Sequence, residues 1–296
     1  MSTPILYSYR HLADPDRIEV RDSKDRVLAT FTNGAYTVVL SGPRRRFAES
    51  TASVAHAKWV RAYTQPFDGK VDGEWLKQAL AANEARVPDV LALAMQYIRG
   101  APKILEGDLQ IAGDAHYGPR TAKSREEGAD FNDYLGVTWT YPGEHDDPPE
   151  HRQFRCVDCS GYLRMVWGYR HHLPGAGYED RVPLSLASRA DHRTMPRRAH
   201  QIYRSAPGVI IIPRGQPVTD FSLLGIGDLV FFDADTADGR RIDHVGMYLG
   251  RDGERRYRFI SSRKTRNGPT LADYGGASLL DGTKLYARSF CAVRRI

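Results

Sequence analysis

Apolar and polar positions alternate along the N-terminal quarter of the chain, which is typical of half-buried β-strands. The alternation predicts strands over residues 17–21, 27–32, 35–40 and 57–63. Asn33-Gly34 indicates a tight turn before the third of these strands. Residues 41–46, which contain Gly-Pro and three adjacent arginines, are expected to break the pattern as a solvated loop. We therefore expect a small β-rich module over residues 1–70.

The spacing of apolar residues becomes helical after residue 70. It predicts a connector helix within residues 71–87, a helix over 88–98, a helix that begins near residue 159, and one that begins at Met195 with Pro196 in its first turn. Apolar strands are predicted over 209–213, 227–232, 243–250, 257–260 and 287–293. Helices followed by antiparallel strands predict an α+β domain over residues 88–296, with the helices packed on the sheet.

Composition narrows the class of protein without naming a substrate. The 296 residues include 41% hydrophobic and 26% charged positions, as in ordinary globular proteins. A net charge of +6 is too small and too scattered to indicate nucleic acid, and no nucleic-acid partner is expected. There is no recognisable secretion signal and no apolar run that could span a membrane. We expect a cytoplasmic chain, or one exported without a leader, and the oligomeric state stays open.

The strongest chemical signal is Asp158-Cys-Ser-Gly161, where a helical apolar pattern begins. Asp158 and Ser160 are residue types that start helices, so Cys159 is placed in the first helical turn. Unpaired backbone N–H groups and the helix dipole there favour a thiolate. His244, near the start of a predicted strand, is the candidate base. A buried inert thiol and a packed histidine are the alternatives, which the combination of both motifs disfavours.

Four motifs, taken in order, resemble those of the NlpC-type cell-wall cysteine peptidases, a papain-like family. They are Asp-Cys-Ser-Gly at 158–161, a Pro-Arg segment at 195–203, Gly-Asp-Leu-Val-Phe-Phe at 227–232 and His-Val-Gly-Met-Tyr-Leu-Gly at 244–250. The resemblance covers roughly residues 88–296. It implies an endopeptidase for the γ-D-glutamyl–diaminopimelate bond of peptidoglycan fragments, without cofactor or metal. An amidase, acyltransferase or effector acting on another substrate, and an inactive binding module, stay open.

The resemblance also assigns roles to residues at the site. Cys159 is implied to be the nucleophile and His244 the base, while the residue that orients the base falls at Ser261. The Cys159 backbone N–H and the Tyr117 hydroxyl are implied to bind the oxyanion.

Three further residues are implied to bind the substrate. Asp158 and Ser160 would help hold the free amine of an N-terminal L-alanine. Arg263 would pair with a substrate carboxylate.

The chain departs from the family pattern by an insertion at about residues 118–155, where the family has a short loop. A long segment beside a site is often a lid or a specificity loop, and its stretch 143–151 is predicted to be exposed. Two sets of metal-ligand residue types occur, but their spacing disfavours a metal: His145, Asp146, Asp147 and His151, and separately Cys156, Cys159, His171 and His172. A disulfide between Cys156 and Cys159 is a further alternative, although we predict Cys156 to be a bystander.

Overall fold

The computed structural model describes residues 7–171, 181–215, 217–235, 237, 239 and 241–296. Two antiparallel sheets are accompanied by short helices, which confirms the predicted α+β class. Within the described residues, no helix is both long enough and apolar enough to cross a bilayer. The division into 1–70, 71–87 and 88–296 stays a prediction.

The described chain forms six α-helices, and its strands form two large sheets and two small hairpins. The helices are α1 (Gly73–Glu84), α2 (Val90–Met95), α3 (Phe131–Leu135), α4 (Cys159–Arg164), α5 (Ala199–Ser205) and α6 (Leu285–Ser289), with a 3-10 turn at His151–Gln153 and a π-helical continuation of α4 at Met165–Arg170. The first sheet has the order β1-β2-β3-β4-β5, from strands β1 (Ser8–Leu12), β2 (Arg17–Arg21), β3 (Val27–Thr32), β4 (Thr37–Glu49) and β5 (Ala52–Ala62). The second has the order β10-β15-β11-β12-β13-β14, from β10 (Val209–Ile212), β11 (Leu229–Phe232), β12 (His244–Arg251), β13 (Tyr257–Arg263), β14 (Gly268–Thr270) and β15 (Phe290–Arg295). The hairpins pair β6 (Ile104–Glu106) with β7 (Leu109–Ala112) and β8 (Trp139–Thr140) with β9 (Asp146–Asp147).

Strand β4 corrects the prediction that the arginine-rich segment 41–46 is a solvated loop. The strand continues through it, with a register shift between Ser41 and Arg45 against β5. Arg45 donates to both carboxylate oxygens of Asp89 and stacks 3.7 Å from the Trp59 ring centre. Its charge is therefore neutralised by a carboxylate from a later segment, which local sequence does not reveal.

Two predictions on the C-terminal half are also wrong. Helix α5 begins at Ala199 rather than Met195, because the backbone of Met195 instead donates to Pro183 and accepts from Ser185. The segment 287–293 is not strand throughout: α6 ends at Ser289 and β15 begins at Phe290.

The second sheet places the candidate base next to the candidate nucleophile. Strands β11 and β12 pair in antiparallel register, with Phe232 opposite His244, as the two apolar motifs predicted. Helix α4 begins at Cys159, with Asp158 as N-cap accepting from the Gly161 backbone N–H over 2.8 Å. A Cβ at Gly161 would lie 2.3 Å from the Ala129 carbonyl oxygen, so only glycine allows this approach.

The insertion at 118–155 is in part a packed element rather than an irregular loop. Phe131, Tyr134, Leu135 and Tyr141 are buried in the same apolar cluster as the helix that carries Cys159. Much of the stretch 143–151 is exposed. The aromatic side chains attach the insertion to the core, while much of its stretch 143–151 faces solvent.

Candidate active site

One cavity of about 440 Å³ collects most of the residues that the sequence singled out. Its walls include Tyr117, Asp158, Cys159, Ser160, His244 and Arg263. Ser261 does not line the cavity, but its hydroxyl is hydrogen-bonded to the Nε2 atom of His244, which does. The chain thus brings a helix start, a strand start and the segment around Tyr117 to one cleft.

Cys159 is the first residue of α4 and is 6% exposed. Burial raises the pKa of its thiol, and the Asp158 charge acts in the same direction, whereas a hydrogen bond from the Val245 backbone N–H lowers it. The net pKa lies above the ordinary value. The expected thiolate is therefore not favoured in this state, because the cost of burying a charge exceeds the gain from the helix start.

His244 begins β12 and is buried between aromatic rings of Phe232 and Tyr286. Burial, followed by the nearby Arg263 charge, lowers the pKa of the imidazole to about 3, against a smaller opposing effect of Asp158. The ring is therefore neutral near pH 7. No direct hydrogen bond joins Cys159 to His244 in the described part of the chain, although both side chains line the cleft.

A chain of hydrogen bonds runs from Arg263 through Ser261 to His244. Arg263 Nε donates to Ser261 Oγ over 3.0 Å, and Ser261 Oγ lies 3.1 Å from His244 Nε2. Ser261 Oγ has one hydrogen and two acceptor sites, so beside the bond from Arg263 it can accept from a protonated Nε2 or donate to an unprotonated one. Both neutral tautomers of His244 are compatible with this contact, which holds the ring in its orientation.

Arg263 lines the cleft, but its donors are used by the protein. It is 1% exposed, and its remaining donors go to the Gly276 carbonyl and the Ser278 hydroxyl, both over 2.7 Å. Its guanidinium also lies 4.5 Å from the Tyr286 ring centre. Burial lowers the pKa of Arg263 to about 10. The side chain is engaged by the protein, which favours positioning of Ser261 over contact with a substrate carboxylate.

Asp158 and Ser160 are likewise occupied by the protein. Arg197 donates to Asp158 Oδ2 over 2.8 Å and to Ser160 Oγ over 2.8 Å, and the Gly128 backbone N–H also reaches Asp158. Burial alone would raise the pKa of Asp158, but the Arg197 charge and the hydrogen bonds outweigh it and lower the pKa. Both side chains therefore fix the start of α4, and the Asp158 carboxylate is already paired with Arg197.

Tyr117 lies in the cleft with its hydroxyl donating to Glu127 over 3.4 Å. Burial, followed by the nearby Cys159 and Asp158 groups, raises the pKa of this phenol, so it stays a hydrogen-bond donor. The contact with Glu127 is long and weak, and Glu127 also pairs with Lys264. The phenol is thus able to turn towards another acceptor.

Sequence reasoning missed several residues that shape this cleft. Arg197 lay within the Pro-Arg motif but received no role, and Glu127 and Tyr286 were not singled out. Arg197 is the hub of a buried network, since it also approaches Asp130, which pairs with Arg164 over 2.9 Å. The position of Arg197 directly after Pro196 in the Pro-Arg motif was the one available signal, whereas the sequence around Tyr286 carries none.

The metal and disulfide alternatives find no geometric basis in the described residues. No group of three or more His, Cys, Asp or Glu side chains there converges on a point that would hold an ion. The three cysteines are free, and the Cys156 thiol lies 3.7 Å from the Phe154 carbonyl. His172 lies outside the described residues.

No protein family model matches the chain, and no curated protein is similar to it. Among solved structures, a crystal structure of an NlpC/P60 family protein from Bacillus cereus ATCC 10987 is similar. The two are 12% identical, the alignment covers 98% of this chain and 80% of the other, and the TM-score is 0.34. Because this TM-score is low, the similarity carries no weight for the function, which depends on the geometry of the cleft.

Proposed function

We propose that this chain is a cysteine hydrolase that cleaves an amide bond, with Cys159 as nucleophile and His244 as base. One observation supports this most: a thiol at the start of a helix and an imidazole at the start of a strand line the same cleft. The Nε2 nitrogen of that imidazole is bonded by Ser261. Because Nε2 is hydrogen-bonded to Ser261, Nδ1 is the ring nitrogen that we assign to proton transfer with Cys159.

The reaction uses the neutral tautomer of His244 that carries its proton on Nε2. In this tautomer the Nε2–H donates to Ser261 Oγ, and Nδ1 is unprotonated. Nδ1 then takes the thiol proton as Cys159 Sγ bonds to the substrate carbonyl carbon. The imidazolium returns the proton to the leaving amine, and water hydrolyses the resulting thioester.

The negative oxygen of the tetrahedral intermediate needs hydrogen-bond donors in the cleft. The backbone N–H of Cys159 lies in the first turn of α4, where helical N–H groups have no intrahelical acceptor. The Tyr117 hydroxyl would be the second donor after leaving its long contact with Glu127. We assign Ser261 and Arg263 to orientation of the base, and Asp158 and Ser160 to the placement of Cys159.

We propose a peptidoglycan stem peptide as substrate, cut between γ-D-glutamate and diaminopimelate. The four NlpC-type motifs, two of which supply Cys159 and His244, support this choice. Mass spectrometry of products from L-Ala-γ-D-Glu-diaminopimelate, incubated with wild type and with Cys159→Ala, tests it. Release of diaminopimelate by the wild type alone supports the proposal. If only a different amide is cut, the substrate is wrong but the hydrolase assignment stands, and if no amide is cut, the binding-module alternative gains.

A further inference from the structure

A second cavity, of about 600 Å³, opens next to the catalytic cleft and has a different chemical character. It shares Lys264 and Thr265 with the cleft, so one extended ligand could reach both. Its remaining walls come from the insertion: Arg120, Thr121, Ala122, Lys123, Ser124 and Arg125. None of these described lining residues is an aspartate or a glutamate.

The insertion holds these cations on a fixed turn rather than on a loose loop. Thr121 and Ser124 bond each other, with the Thr121 N–H donating to the Ser124 carbonyl over 2.9 Å. The Glu126 N–H donates to the Pro119 carbonyl, also over 2.9 Å. A Cβ at Gly118 would lie 2.1 Å from the Glu126 carbonyl oxygen, so the base of the turn is closed tightly. The cationic side chains therefore project from an ordered backbone.

The turn brings like charges together without compensation. Arg120 and Arg125 are direct antiparallel partners. Like charges opposite one another are destabilising. Of the two acidic residues that follow, Glu126 pairs with Arg152 over 3.1 Å, and Glu127 pairs with Lys264, so Lys264 is the lining cation that already has a carboxylate partner. The cations of the turn itself form no ion pair among the described residues, and an anionic ligand would balance their charge.

The charge balance favours an anionic ligand with several oxygens. Within the described residues, Arg120 and Lys123 have no carboxylate partner, and both are exposed. Arg125 uses one donor on the Gly118 carbonyl over 3.2 Å, which leaves further N–H groups. Guanidinium groups bind phosphate and carboxylate oxygens through paired hydrogen bonds.

We propose that this cavity, lined by Arg120, Lys123, Arg125 and Lys264, is a subsite for an anionic portion of the substrate, carrying phosphate or clustered carboxylate groups. The proposal rests on the proposed function, because it assigns the subsite to a ligand that continues from the amide held at Cys159. It gives the insertion a role in substrate selection. The ligand enters with its anionic end against the turn 119–126 and its amide against α4.

Binding measured without turnover tests the subsite separately from the hydrolase assignment. Isothermal titration calorimetry at low ionic strength uses the full chain with Cys159→Ala and two probes, pyrophosphate and citrate. We expect at least one probe to bind, with an affinity that falls as salt increases. Preference for pyrophosphate identifies a phosphate ligand, and preference for citrate identifies carboxylates. If neither probe binds, the subsite is refuted, whatever the result of the peptide-cleavage assay.

A matched pair of double variants locates the binding. In the Cys159→Ala background, Arg120→Ala/Lys123→Ala removes two cations from the turn, and Arg44→Ala/Lys70→Ala removes two exposed cations elsewhere. We expect the first pair to weaken binding by about tenfold or more, as the loss of charged hydrogen bonds implies, and the second to leave it unchanged. Equal weakening in both pairs, or none in the first, would overturn the proposal. So would a single-stranded oligonucleotide that binds more tightly than either probe.

Discussion

Replacement of Arg263 should change the acid–base properties of His244 without any contact between the two side chains. Two hydrogen bonds, of 3.0 and 3.1 Å in series, put Arg263 Nε within about 6 Å of His244 Nε2. Two unit charges about 6 Å apart, at an effective dielectric constant of about 20, interact by roughly 3 kcal/mol, or about two pKa units. Arg263→Met should therefore raise the pKa of His244 from about 3 to roughly 5.

The measurement is a pH titration of nitrogen-15 histidine spectra, with the His244 signals among the ten histidines assigned by His244→Asn. Arg263→Lys, which keeps the charge, should move the pKa less. Ser261→Ala separates the hydrogen bond from the electric field: the pKa of His244 should stay low, because the burial of the ring and the Arg263 charge remain. A folded Arg263→Met chain with an unmoved pKa, or a pKa that rises as far in Ser261→Ala as in Arg263→Met, would refute this reasoning.

Three other outcomes follow from the buried charges. Because burial raises the pKa of Cys159, its alkylation by iodoacetamide should be slow at pH 7, and the rate should still increase at pH values where an ordinary thiol is already fully ionised. Mass spectrometry of the labelled peptide measures this rate. A rate that levels off near pH 6 would contradict the prediction. Because the pKa of His244 is depressed in the folded state, the unfolded state binds more protons between about pH 6.5 and 3. The free energy of unfolding should therefore decrease as the pH is lowered through this range, by up to about 1.4 kcal/mol per pH unit. Urea titrations should show a shallower decrease for His244→Asn, and equal slopes would argue against a buried neutral ring. Arg164→Met should cost about 3–5 kcal/mol in urea unfolding, because it leaves the buried Asp130 with only the longer contact to Arg197 and removes the donor to the Ser185 and Met195 carbonyls. Arg152→Ala, in an exposed pair, should cost less than about 1 kcal/mol; a similar small cost for both would contradict the network.

Local patterns predicted the parts of the molecule that local forces decide. Strands β2 and β3 occupy the predicted residues because alternation and turn chemistry act within a few positions. The start of α4 at Cys159 followed from Asp158, because the side chain of Asp158 caps the helix by accepting from the backbone N–H only three residues further along the chain. The pairing of β11 with β12 followed from two apolar motifs joined by a polar connection.

The rest depends on partners that are distant in sequence. Arg45 was expected in a solvated loop and Arg197 received no role, and only the fold brings them to Asp89 and Asp158. The thiol was expected to be acidic from its helix position, but the burial that outweighs this effect is a property of the whole cleft. The same holds for Arg263, whose role depends on β13 lying beside β12.

The most direct test of the central claim compares two histidines that line the same cleft, His244 and His200. The rate of amide cleavage is measured for wild type, His244→Ala and His200→Ala, on the stem peptide or on whichever amide the wild type cuts. The account predicts a loss of about 10²–10⁴-fold for His244→Ala, the usual contribution of a general base, and nearly full activity for His200→Ala. Full activity of His244→Ala, or equal losses in both variants, would contradict the assignment of His244 as the base for Cys159.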